Sequence, residues 1–188
     1  MNALGVLVRP RSTLESLAAA PNLASGFSVV LLSGLVSAGI SAAAGALARS
    51  GVSSVVTSLL LPALFVLYWL VEAWLVDAGA AMLGRSGQRR AFLAVSGFVF
   101  VAWIAYSLLT LVEAAAEHAA GSGSGVATGL AWLTLPVLCW FLALTVLAIR
   151  AVYDVPTLNA LALALLPYAT IAAAVLLVTA GLTAVHGS

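Results

Sequence analysis

Long apolar stretches separated by short polar segments dominate the pattern along this chain. They lie at approximately residues 23–47, 52–83, 91–115, 128–149 and 160–183. A hydrocarbon core about 30 Å thick needs about 20 apolar residues in a helix, and each stretch supplies that length. The pattern therefore predicts an all-α integral membrane protein with five transmembrane helices in one bundle.

The segment before the first apolar stretch has a different, amphipathic pattern. Ser12 and Glu15 have the spacing of a helix-capping box, and Leu14 and Leu17 fall on one helical face. We expect a short helix over residues 4–20 that lies at the membrane surface. An unstructured tail is the alternative.

The domain organisation follows from these two patterns. Prolines and charged side chains interrupt residues 1–22, so this segment does not have the uninterrupted apolar region of a signal peptide, and we expect it to remain in the mature protein. No later loop is long enough to fold alone. The predicted division is an interfacial segment at 1–22 and a membrane domain at 23–188.

The first apolar stretch contains two stripes of small residues at four-residue spacing. They are Ser37, Ser41 and Gly45 on one stripe and Gly34, Ala38 and Ala42 on the next. Small residues at this spacing let helix backbones approach closely in lipid. We expect them to pack inside the bundle, and a dimer face is the alternative.

The basic residues are all arginine, and their distribution predicts the orientation. One side of the five-span arrangement would hold Arg9, Arg11, Arg85, Arg89, Arg90 and Arg150, and the other only Arg49. Positive residues favour the cytoplasmic side, so we expect a cytoplasmic N-terminus and an external C-terminus. The same six side chains are candidate contacts for lipid headgroups. Arg150 and Asp154 are also spaced to pair with each other.

Composition narrows the function classes further. Hydrophobic residues make up 64% of the chain and charged residues 7%, against about 25% charged in soluble domains. The net charge of +1, with no basic run, argues against nucleic-acid binding. The Ala-rich, Lys-free composition favours a prokaryotic plasma membrane.

The chain contains no recognisable catalytic or metal-binding motif. Cys139 is the only cysteine, and neither His118 nor His186 has a ligand partner at the usual spacing. We therefore expect no enzymatic activity, no cofactor and no metal site.

Two carboxyl groups within the second apolar stretch form the candidate intramembrane site. Glu72 and Asp77 are costly at membrane depth, and their spacing places them on different helix faces. Tyr68 precedes Glu72 by about one turn and can donate a hydrogen bond to it. We expect a buried, neutral Glu72 bonded to Tyr68 or to another span, so that Glu72→Leu loses about 1 kcal/mol. Whether Glu72 is structural or serves an ion, proton or substrate is left open.

Three segments of the chain resemble the Yip domain family of Ypt/Rab-interacting membrane proteins, in its prokaryotic form. They are VRPRSTLESLAAAPN before the first span, GRSGQRRAF after the second and YDVPTLNALALALLP leading into the fifth. The resemblance implies five spans and no established enzymatic activity, with roles in vesicle traffic and membrane shaping among eukaryotic relatives. The chain lacks their acidic-leucine-tyrosine-glycine-proline motif and their long N-terminal region, so Rab binding does not carry over.

Three hypotheses for the function follow. The preferred one is a non-enzymatic membrane protein that organises or shapes the bilayer or scaffolds partner membrane proteins. Its expected partners are membrane lipids and other membrane proteins or further copies of itself. The second is a small transporter or channel that uses Glu72 and possibly Asp77. The third, a lipid-modifying enzyme, lacks an identifiable nucleophile or metal site.

Overall fold

A computed structural model describes residues 5–48, 52–121 and 125–186, which form helices joined by short turns, with no strand among them. In chain order the helices are α1 (Gly5–Val8), α2 (Pro10–Ala19), α3 (Leu23–Leu47), α4 (Val52–Met82), α5 (Arg89–Ser96), α6 (Val101–Ala120), α7 (Gly125–Trp132), α8 (Thr134–Tyr153) and α9 (Thr157–His186). A 3₁₀ turn at Gly97–Phe100 joins α5 to α6.

Five helical segments are long and apolar enough to cross a membrane. They are Leu23–Leu47, Val56–Met82, Arg89–Ala120, Thr128–Tyr153 and Thr157–Ala180. This confirms the predicted all-α membrane fold and its five spans. The third segment combines α5, the 3₁₀ turn and α6. It is the most enclosed of the five, because 56% of an 18-residue apolar stretch within it is buried. It forms the centre of the bundle.

The polar segment between the fourth and fifth predicted apolar stretches, residues 150–159, forms a shorter turn in the structure. Helix α8 continues to Tyr153 and ends at Asp154, whose φ of 50° is left-handed and whose N–H donates to the carbonyl oxygen of Arg150 at 3.1 Å. Pro156 follows before α9 begins. A left-handed residue followed closely by proline is a common way to end a helix.

Close backbone contacts hold α3 against the centre of the bundle. A Cβ atom at Gly97 would lie 2.5 Å from the carbonyl oxygen of Gly26, and one at Gly26 would lie 2.6 Å from that of Ala94. Further along α3, a Cβ at Gly34 would lie 2.8 Å from the Cα of Pro62 on α4. The predicted packing role is therefore confirmed at Gly34, whereas the Gly26–Gly97 crossing lies outside both predicted stripes.

Helix α2 packs against the rest of the bundle. Its cap is Arg9 with Pro10 at the first position, and Ser12 lies inside the helix with its hydroxyl donating to the Arg9 carbonyl at 3.3 Å. The predicted capping box that begins at Ser12 is therefore wrong. Leu14 and Leu17 are buried in the core to which α5 and α8 contribute. The bundle therefore covers the apolar face of α2. The expected position of α2 at the membrane surface stays a prediction.

The second half of α9 extends away from the packed core. Every side chain from residue 168 to residue 180 is exposed, whereas Ala160, Leu163 and Ala164 near its start are buried. Within this span, only 17% of an 18-residue apolar stretch is buried. In a membrane these exposed side chains would contact lipid.

Candidate functional site

Glu72 lies in the interior of the bundle. Helix α4 places it at 1% exposure, beside Ala73 and one turn before Val76, both of which are fully buried in the core. The apolar residues of this part of α4 turn towards the centre, and Glu72 is carried with them. The structure therefore agrees with the expected burial. A carboxyl group enclosed in this way favours its neutral form, because the charged form would lose its hydration.

The expected hydrogen bond between Tyr68 and Glu72 is not formed. The Oε2 atom of Glu72 and the Oη atom of Tyr68 are both buried, and neither has a partner at hydrogen-bond geometry in the described part of the chain. The Tyr68 ring packs among aromatic rings, with centroids 6.2 Å from Phe100 and 6.3 Å from Tyr168. The Tyr168 hydroxyl interacts electrostatically with that of Tyr68 without completing a well-formed bond. Two polar atoms one turn apart on α4 therefore have unused bonding capacity.

Tyr168 connects this interior region to the lipid-facing surface. It lies on α9 next to Tyr68 and also lines an apolar cavity of about 250 Å³. The rest of that lining comes from Leu138, Cys139, Leu142 and Leu165. The cavity lies between α8 and α9. From the sequence, Tyr168 is only an early residue of the fifth span. No local spacing predicts that it lies beside Tyr68 and this cavity.

Asp77 has a separate role from Glu72, as their spacing predicts. Its Oδ1 atom accepts a hydrogen bond of 3.0 Å from the hydroxyl of Tyr153 at the end of α8. Tyr153 is 2% exposed and its ring lies 5.8 Å from that of Phe92. Asp77 therefore joins α4 to α8. Sequence reasoning missed this contact, because no local spacing relates residues 76 positions apart.

Arginine residues from the N-terminal segment, from the α4–α5 turn and from the end of α8 meet at one end of the bundle. Arg85 in the α4–α5 turn pairs with Asp154 in the α8–α9 turn at 3.9 Å, and Arg11 pairs with Glu15 at 2.9 Å. The predicted Arg150–Asp154 pair is replaced by the Arg85 contact, because Asp154 leaves the helix in the left-handed conformation. The six candidate headgroup contacts, Arg9, Arg11, Arg85, Arg89, Arg90 and Arg150, are all exposed.

Helix α2 and the end of α8 enclose a cavity at this same end. The cavity measures about 180 Å³, and its charged lining consists of Arg11, Glu15, Arg150 and Asp154. Two arginine and two acidic residues thus line one space. The sequence indicates single arginine contacts with lipid, and it contains no signal that α2 and α8 would combine them into one site.

Metal chemistry has no support within the described ranges. No group of three or more His, Cys, Asp or Glu side chains there could hold an ion. His118 is exposed near the end of α6, and the side chain of His186 lies outside the described part of the chain.

The fold and the polar groups define a helical integral membrane protein with five spans and an arginine-rich end. The family model of the Yip1 domain matches residues 4–179, nearly the whole chain, and the chain belongs to this family. The matched range includes α2, the first four spans and all but the last residue of the fifth. Comparison with curated proteins and with solved structures gave no match.

Proposed function

We propose that this chain is a non-enzymatic membrane protein that organises or shapes the bilayer or scaffolds partner membrane proteins. Membership of the Yip1 domain family supports a membrane role. Its partners on this proposal are membrane lipids and either other membrane proteins or further copies of the chain. The proposed setting is a prokaryotic plasma membrane, with residues 1–22 on the cytoplasmic surface and the C-terminus outside.

The observation that carries the proposal is the enclosure of the carboxyl groups within the second span. Glu72 is 1% exposed and Asp77 is engaged by Tyr153. A transport site needs its charged groups to face a water-filled cavity or the substrate. Here one carboxyl is packed in the core and the other joins two helices, which is typical of groups that stabilise a bundle.

A transporter that uses Glu72 is the second candidate, and a specific observation favours it. The buried Glu72 Oε2 and Tyr68 Oη have no partner at hydrogen-bond geometry among the described residues, although native proteins usually satisfy such atoms. A proton, an ion or a small polar substrate could use them during a transport cycle. The Tyr153 bond argues against including Asp77 in that cycle.

The experiment that separates the two candidates is reconstitution of the full chain in liposomes. Dyes sensitive to pH and to common ions report flux, and Glu72→Gln is the matched variant, checked for folding by its circular dichroism and melting temperature. We expect the same leak from wild-type, variant and empty liposomes. A wild-type flux that disappears in the folded Gln variant would replace the scaffold proposal with the transporter.

A second experiment tests the scaffold proposal directly. The chain is purified from its native membrane in mild detergent after brief cross-linking, and the attached proteins and lipids are identified by mass spectrometry. We expect a reproducible set of membrane proteins or a defined oligomer of the chain itself. Recovery of a monomer without enriched protein or lipid would contradict the proposal.

A further inference from the structure

The cavity between α2 and α8 contains groups of both charge signs. Arg11 and Glu15 line it from α2, while Arg150 and Asp154 line it from the end of α8. With two positive and two negative side chains, the lining has no excess of either sign. Such a lining is complementary to a ligand that itself carries both charges, because a purely anionic ligand would also meet two carboxylates.

In a membrane the cavity would lie near the depth of lipid headgroups. The fourth span ends at Tyr153 and the fifth begins at Thr157, so Arg150 lies in the last turn of one span and Asp154 lies in the turn between the two. The remaining lining is apolar and consists of Leu147, Ala151 and Val155. A volume of about 180 Å³ is far more than the roughly 10–15 Å³ that one water molecule needs. A polar group attached to an apolar anchor fits this environment.

The charged groups of the cavity are available to a ligand at little cost. Arg11 and Glu15 pair on the solvent-exposed surface of α2, with side chains 76% and 55% exposed, and the contact of Asp154 with Arg85 is long, at 3.9 Å. Exposed pairs of this kind contribute little stability. Arg150 is exposed and makes no ion pair among the described residues. A phosphate group could therefore engage both guanidinium groups without breaking a strong contact.

We propose that this cavity binds the headgroup of a zwitterionic phospholipid that carries a phosphodiester and a primary ammonium, as phosphatidylethanolamine does. Arg11 and Arg150 bind the phosphate oxygens, since guanidinium groups match phosphate geometry. Glu15 and Asp154 accept hydrogen bonds from the ammonium group. A choline headgroup has no N–H to donate, and a glycerol headgroup has no positive charge, so both match the carboxylates less well.

The inference rests on the proposed function in taking bilayer lipid as the ligand. The two proposals nevertheless fail separately. Flux through Glu72, or the absence of protein partners, would leave headgroup binding intact. Equal binding of all headgroups would leave the flux and cross-linking results unchanged.

The test is lipid retention by the purified full chain, measured by native mass spectrometry. Phosphatidylethanolamine, phosphatidylcholine and phosphatidylglycerol with identical acyl chains are offered at equal concentration. We expect phosphatidylethanolamine to be retained in preference to the other two. Equal retention of the three lipids, or preference for phosphatidylglycerol, would overturn the proposal.

Two substitutions in the cavity separate the contributions of the charges. Arg150→Gln should weaken retention of all three lipids, since each has a phosphodiester. Glu15→Gln should reduce the preference for phosphatidylethanolamine by about tenfold, the scale of one charge-assisted hydrogen bond. An unchanged preference in Glu15→Gln would contradict the assigned ammonium contact.

Matched controls address folding and the source of the ligand. Glu117→Gln changes an exposed charge outside the cavity, and we expect it to retain the wild-type preference. Glu15 and Arg150 are also exposed, so all three variants should melt with the wild type in detergent. Free phosphoethanolamine serves as competitor: failure to displace the lipid supports a membrane ligand, and displacement at matched concentration would overturn it in favour of a soluble one.

Discussion

The hydrogen bond from Tyr153 to Asp77 is a contact between two distant segments at a span end. Tyr153→Phe removes the donor and keeps the ring, so we expect a loss of about 0.5–2 kcal/mol in stability. Asp77→Ala combined with Tyr153→Phe should cost little more than Asp77→Ala alone, because the bond can be lost only once. Unfolding in mixed micelles measures these differences. Full additivity would exclude the bond.

The unpartnered oxygen of Glu72 changes the expected effect of replacing this residue. A hydrogen-bonded Glu72 would lose stability on substitution by Leu, whereas the Oε2 atom here has no partner among the described residues. Glu72→Leu removes this buried, unpartnered oxygen, so we expect stability within about 1 kcal/mol of wild type, or higher. Glu72→Gln should be less stable than Glu72→Leu, because its amide is also buried. The opposite order, in the same unfolding assay, would indicate a bond to Glu72.

Two glycine residues of α3 provide a matched pair for testing the crossing with α5. A Cβ at Gly26 would lie 2.6 Å from the Ala94 carbonyl oxygen, whereas one at Gly39 would meet nothing within 4 Å. Gly26→Ala should therefore destabilise the bundle by about 1–3 kcal/mol, since backbone must move. Gly39→Ala should be neutral or stabilising by up to about 1 kcal/mol. Equal melting temperatures for the two variants would show that the crossing is looser than described.

Among the helices, α2 is held by side chains that enter the core. Leu14 is fully buried, whereas Val8, just before α2, is 78% exposed. Leu14→Ala should cost about 2–5 kcal/mol, the usual range for a buried leucine, and Val8→Ala is the control with little expected effect. Thermal unfolding in detergent checks both. A neutral Leu14→Ala would indicate that α2 separates from the bundle.

For the protein as a complete bundle, the arginine-rich end predicts the orientation. Arg11, Arg85 and Arg150 belong to three segments that the structure brings to one end. If this end is cytoplasmic, a Ser86→Cys variant should react only with thiol reagents that enter the cytoplasm, and Cys139→Ser provides the background. A reporter fused to Ser188 should be active outside. A cytoplasmic signal there with an intact fold would contradict the five-span orientation.

The local patterns in the sequence determined the class of the fold. Spans are predictable because hydrocarbon accepts only segments that are long, apolar and internally hydrogen-bonded, and this requirement is read residue by residue. The separation of Glu72 from Asp77 follows from helical geometry in the same way. The boundaries were less predictable, since residues 150–153 remain helical up to the left-handed Asp154.

The meeting of distant residues depended on the tertiary arrangement. The apolar side chain of Leu14 can pack against lipid or against protein. In the structure it is buried in a core to which α8 contributes, and the sequence of α2 alone does not specify that contact. The Tyr153–Asp77 bond, the Gly26–Gly97 crossing and the charged cavity between α2 and α8 each join segments far apart in the chain. Such contacts depend on how the helices are arranged around the third span, and helical periodicity specifies the face of each helix but not its neighbour.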